Sequence, residues 1–213
     1  MAIACLLVPS LALACELARR PALAGQPVVL ADEAGLWVAD ATPEAAARGV
    51  RAGMTLREAA AYCPVLTVLE PRPARMVRAL GGLSAALGLV SPLVETPPAA
   101  TAGVGVDALY ADLRGTEALF PRAGELERVV LAVAGRAVAP SGALRQAQGA
   151  DPSTSLRAGA SVAPRLGIAE RRFTAYAAAR AAGAGEARRV AAGEETGFLA
   201  PLPAAWLPLA PEV

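Results

Sequence analysis

An unbroken apolar run over residues 2–8 is followed by Pro9-Ser10 and by an apolar-rich stretch over 11–20 that carries Glu16, the pattern of a buried strand, a turn and a helix. PVVLAD and LWVAD, separated by Gly35, are two short Val- and Leu-rich runs at hairpin spacing. A short helix is expected after Thr42-Pro43, ending at Gly49. A second is expected with Thr55 as N-cap and Glu58 in the capping-box position, stopping before Pro64. A strand over 66–69 leads into a long helix over 71–90, where Arg72, Arg75 and Arg78 recur on one face as a solvated stripe. PLVET and GVGVDALYADL read as two strands, and 125–138 as an amphipathic helix. Residues 141–161 have turn-forming composition and no hydrophobic period, which predicts an inserted, disordered surface loop. A strand over 162–169 and a helix over 171–182 follow. The tail from Gly183 offers one short helix and a Pro-rich end, and reads as the start of an unfinished domain.

Strands alternating with helices, some at hairpin spacing, predict an α+β fold with a mixed sheet covered by helices. Of the 213 residues 55% are apolar and 18% charged, which excludes disorder, and a net charge of +1 argues against strong sequence-independent DNA binding. Every basic residue is arginine and Lys, His and Asn are absent, a composition that points to a GC-rich genome. Without histidine, Ser-His-Asp and Cys-His catalysis, His-ligated metals and imidazole bases are excluded from these residues. Cys5, Cys15 and Cys63 are too few and too scattered for a disulfide framework or a metal site and read as buried thiols in a reducing cytoplasm. The apolar start is not expected to be a leader or a span, since no basic residue precedes it, Pro9 and Ser10 interrupt it and it is too short for a bilayer. Trp37 and Tyr110 are expected in core or cross-strand packing, and Glu16 is expected to pair with Arg19 or Arg20.

Four segments, in order, resemble the Y-family translesion DNA polymerases of the UmuC type. The strand-turn-helix ending in Glu16, followed by AGQPVVLAD, is similar to that family's start. ATPEAAARGVRAGMTLREAAAYCPVLTVLEP is similar to its fingers, with a small-residue helix, a GVxxGM turn, an EA helix and a CP dipeptide; this segment is the most specific. SPLVETPPAATAGVGVDALYADLRGTEALF resembles the palm hairpin, LGIAERRFTAYAAARAAG its last strand and helix, and FLAPLPAAWLP the beginning of the thumb. The resemblance implies a palm made of 1–16 and 75–182, fingers over 17–73 inserted into it, and an incomplete thumb over 183–213.

The same resemblance shows what has been lost. Phosphoryl transfer on this fold needs two divalent ions shared by several carboxylates. The two first-strand acids fall on Leu7 and Pro9. On the hairpin Asp107 is retained but its neighbour is Ala108, and Asp112 is expected too far along the strand to substitute. The aromatic residue that lies under the sugar falls on Ala12, the triphosphate-gripping tyrosine and arginine on Pro43 and Ala46, and the palm lysine in Ala182-Gly183. No catalytic, nucleotide-binding or metal residues, and no cofactor, are therefore expected. This pattern resembles the ImuB branch, which keeps the polymerase fold without the polymerase site. The resemblance implies a scaffold in damage-induced (SOS) mutagenesis whose partners are the sliding clamp, a replicative-type polymerase and a RecA-like accessory protein, with weak DNA contact at most and no membrane. An active lesion-bypass polymerase with a degenerate metal site, and an unrelated α+β binding module, are the alternatives.

Overall fold

A computed structural model of the chain describes residues 2–96, 108–116, 119–138 and 163–206. Asp107, the 141–161 insert and the last seven residues lie outside the described residues. Two sheets form. The larger has five strands in the order β5-β6-β1-β7-β8: β1 (Ile3–Leu7), β5 (Val94–Glu95), β6 (Ala108–Asp112), β7 (Arg165–Ala169) and β8 (Ala187–Arg189). β1 lies at its centre, antiparallel to both β6 and β7, while β8 runs parallel to β7. A strand buried on both faces reads as a continuous apolar run, which is why residues 2–8 do not alternate.

One face of this sheet, with Ala4, Leu6, Leu109, Ala111, Leu166 and Ile168, packs on α4 (Pro73–Gly88) and α5 (Glu125–Val138). The other face, with Cys5 and Leu7, packs on α6 (Arg172–Ala181) through Ala175, Ala178 and Ala179. The smaller sheet, in the order β3-β2-β4, comprises β2 (Val28–Ala31), β3 (Val38–Ala41) and β4 (Thr67–Leu69). Its Val29 and Val38 share a core with Ala45 of α2 (Pro43–Ala46) and Ala59 of α3 (Leu56–Tyr62). Thr55 caps α3 in the expected capping box with Glu58, whose carboxyl is held below its usual range by the Thr55 backbone N–H and hydroxyl. Gly49 and Gly53, at φ of 90° and 85°, make the turn between α2 and α3 in a conformation that glycine adopts without a steric penalty. Between the two sheets lies α1 (Leu11–Leu17), with Leu11 and Ala14 in the first core and Leu13 against Val28, Leu30 and Leu69 of the small sheet.

Several expectations need correction. α1 stops at Leu17 instead of Arg20, because the residue before Pro21 is disfavoured in the helical region, and a short 3₁₀ turn over Pro21–Leu23 follows. Of the two expectations for Trp37, core is wrong and cross-strand pairing is met: it is 48% exposed and bridges Thr55 in antiparallel fashion, at a hairpin end where Asp32 accepts hydrogen bonds from the Leu36 and Trp37 backbone N–H groups. Residues beyond Gly183 contribute more than a short helix. β8 extends the large sheet, and α7 (Glu195–Leu199) follows it. The sequence hides β8 because Ala187, Arg188 and Arg189 are all exposed and carry no apolar alternation.

Candidate functional site

Of the positions to which the resemblance assigns chemistry, the large sheet brings two together, Leu7 and Ala108. In the register of β1 and β6, Leu7 is the Cα partner of Ala108, Cys5 of Tyr110, and Ile3 of Asp112. Directly paired residues on antiparallel strands stand about 4.5–5.5 Å apart at Cα, so Leu7 and Ala108 present their side chains together. Both pack in the apolar cluster under α6, Leu7 being 7% exposed. Neither side chain carries an oxygen. Pro9 follows β1 in the turn to α1, where Ser10 takes up a left-handed conformation at φ 56°. Ala12 faces the small-sheet cluster. Pro43 is the first residue of α2 and Ala46 its last, and both are exposed.

Further along the same face the residues are polar but mutually satisfied. Asp112 lies at the far end of β6, four positions and so about 13 Å from Ala108. Its carboxylate accepts from the Arg114 backbone N–H (3.0 Å) and from Arg114 Nε (2.7 Å), and this holds it below the usual carboxylate range. Arg172, in the first turn of α6, lies 3.9 Å from the centroid of the Tyr110 ring and forms an ion pair with Glu95. Together with Ile3 and Val94, Glu95, Tyr110, Asp112 and Arg172 line a shallow cleft of about 450 Å³. Burial pushes the Tyr110 hydroxyl up to about 12. Among the described residues no group of three Cys, Asp or Glu side chains lies close enough together to hold a metal ion.

Two polar contacts about α1 carry no local signal in the sequence. Asp40 of β3 makes one: its side chain hydrogen-bonds that of Ser10, while burial pushes its carboxyl above the usual range. Nothing in the local pattern links residues 30 apart. Arg75 makes the other. It is half-buried and reaches Glu16, whereas Arg72 and Arg78 are exposed as the solvated stripe predicts. Glu16 also accepts from Arg20 at 2.8 Å, as its i,i+4 spacing suggests.

All three cysteines are buried and none forms a disulfide. Burial pushes the Cys5 thiol up to about 12, so it stays protonated through the neutral range, and the thiolate is the reactive form. A thiol titration at pH 8 is therefore expected to find no reactive cysteine in the folded chain and all three once it is unfolded. One fast-reacting thiol in the folded chain would show that the packing around β1 is looser than described.

A family model described as the impB/mucB/samB family matches residues 8–180. Over 107 residues, 48% of this chain, the sequence is 35% identical to a DNA polymerase IV from Pelotomaculum thermopropionicum and covers 25% of that protein. DinB from Sulfolobus solfataricus superimposes with a TM-score of 0.71 at 17% identity, over 98% of this chain and 53% of its own. The insertion ternary complex of Dbh DNA polymerase gives a TM-score of 0.69 at 17% identity, over 98% and 54%. At such identities the likeness is one of fold. This chain spans about half the length of these solved structures and a quarter of the curated relative. Among the described residues no helix is long and apolar enough to cross a membrane.

Proposed function

This chain belongs to the impB/mucB/samB family and has the fold of the Y-family DNA polymerases, and from that premise we propose that it is a non-catalytic member acting in translesion synthesis. It works as a scaffold or adaptor in the cytoplasm, in the manner of the ImuB branch, during damage-induced mutagenesis. One observation carries this reading: Leu7 and Ala108, paired on the central strands where the family's carboxylates are expected, supply no oxygen ligand. Mg²⁺ demands near-octahedral oxygen ligation with at least one or two carboxylates beside the substrate phosphates. The residues at Leu7, Pro9 and Ala108 do not fit that ion. Ala12, Pro43 and Ala46 likewise have neither an aromatic ring to lie under a sugar nor a donor for a triphosphate.

What such a scaffold does is hold other proteins at a lesion. Its surface partners are a sliding clamp, a replicative-type polymerase and a RecA-like accessory protein, and DNA contact through this segment is weak, in keeping with a net charge of +1. The 35% identity to a DNA polymerase IV favours one alternative, an active lesion-bypass polymerase with a degenerate metal site.

Primer extension separates the two. The chain is expected to add no nucleotide to a primed template with either Mg²⁺ or Mn²⁺. Co-precipitation with the purified clamp, polymerase and RecA-like protein is expected to retain at least one of them. Extension that disappears in the Asp107→Ala variant would replace the scaffold with the active enzyme.

A further inference from the structure

Helix α4 is apolar on both sides. Its inner side, with Leu80, Leu83 and Leu87, is buried in the large-sheet core. Its outer side carries Val77, Gly81 and Ala85 and passes at its end to Leu89; all four are exposed, Val77 by 53% and Leu89 by 55%. A surface helix turns a polar face to water, and one that is apolar all round is a covered helix. Its two central glycines differ. An added Cβ at Gly82 would stand 2.7 Å from that of Ala137, so the close crossing of α4 and α5 accounts for it. At Gly81 a Cβ would meet nothing within 4 Å, so the chain's own packing supplies no reason for a residue that weakens a helix.

Charge on this outer side is confined to one end. Arg72, just before α4, and Arg78 are exposed and form no ion pair among the described residues, and residues 71–94 contain no acid. The helix opens with neither a capping side chain nor an acidic residue in its first turn, so its positive end adds to theirs. A second copy of this chain would bring the same arginines to the face and no acid to meet them. A nucleic-acid strand would find no aromatic ring to stack on, since residues 63–109 contain none. We infer that the outer side of α4 is a docking surface for an amphipathic helix of a partner protein, with its apolar stripe along Val77, Gly81, Ala85 and Leu89 and acidic residues at one end over Arg72 and Arg78. The bare backbone at Gly81 lets the two helix axes approach, and the stripe, about 18 Å long, matches three to four turns of the partner. The surface rests on the scaffold reading only for its partner being a protein.

Fluorescence anisotropy of the whole chain with a labelled synthetic peptide tests the surface. The peptide has about four helical turns, leucines at i, i+3, i+4 and i+7, and glutamates at one end. The parent is expected to bind it. G81Q, which fills the gap with a better helix former, is expected to keep or raise the parent Tm and to weaken binding about tenfold or more. R72E/R78E is expected to weaken it as much, and a peptide with lysines in place of the glutamates to bind that variant in preference to the parent. R57E/R128E makes the same charge change at exposed positions on α3 and α5 and is expected to stay within about twofold of the parent. No binding by the parent, parent-like binding by G81Q, or equal losses in the two charge-reversed variants overturns the inference. So does dimerisation of the parent that G81Q abolishes, or displacement of the peptide by a single-stranded oligonucleotide. Primer extension is a separate readout, so failure here leaves the non-catalytic reading standing and an active enzyme leaves the docking surface standing.

Discussion

Replacing Gly167 with alanine is expected to remove more than about 4 kcal/mol of stability, the range reached when a close-packed backbone contact is broken. Gly167 lies in β7 beneath α6. An added Cβ would stand 2.0 Å from the Ala175 carbonyl oxygen and 2.3 Å from the Ala179 backbone nitrogen. These are backbone atoms of a helix and have no rotamer by which to move away. Relief requires α6 to lift as a unit, and its buried face of Ala175, Ala178 and Ala179 is what covers Cys5 and Leu7. The damage therefore reaches the candidate site. Urea denaturation followed by circular dichroism measures the loss. Gly81→Ala is the control: it lies exposed in α4 with nothing within 4 Å of an added Cβ, and alanine there is expected to stabilise by about 0.5–1 kcal/mol. Equal effects of the two substitutions would refute the close approach of α6 to β7.

The second large effect is expected from rebuilding the acids. L7D/P9D/A108E should be less stable than the parent by at least about 3 kcal/mol in the absence of divalent cations, because Leu7 is nearly buried among apolar side chains and a carboxylate there has no partner. Cation binding should then return part of that loss, about 2.7 kcal/mol at a hundredfold excess over Kd. The reason is geometric. Residues 7 and 108 face each other across paired strands, near enough for one ion to take an oxygen from each. Melting curves with and without Mg²⁺, Mn²⁺ and Ca²⁺ provide the check, with the parent Tm unmoved by the same additions. A folded variant that ignores all three ions would mean that the backbone no longer brings these positions together. On the proposed non-catalytic reading, nucleotide incorporation should stay absent in either case, since Ala12, Pro43 and Ala46 carry neither a ring for a sugar nor a donor for a triphosphate.

Much of the molecule follows from local pattern. The uninterrupted apolar run of residues 2–8 marks a strand covered on both faces, and the structure makes it the middle of five. Thr55 and Glu58 specify a capping box by their spacing, since both bonds close within one turn. That Leu7, Pro9, Ala108, Ala12, Pro43 and Ala46 offer neither a side-chain oxygen nor an aromatic ring needed no coordinates, because that is a property of residue type. Tertiary structure decided everything that joins distant positions. Only the antiparallel register of β1 and β6 sets Leu7 opposite Ala108, a hundred residues away. Only the packing of α1 between two sheets turns Arg75 out of a solvated stripe and onto Glu16, and brings Ser10 to Asp40. β8 forms from residues with no strand signature because β7 presents its edge to them, so their backbone hydrogen bonds, and no apolar face of their own, hold them in the sheet. Backbone pairing and burial depend on what lies across the gap, and a linear pattern carries that information only where both sides are close in sequence.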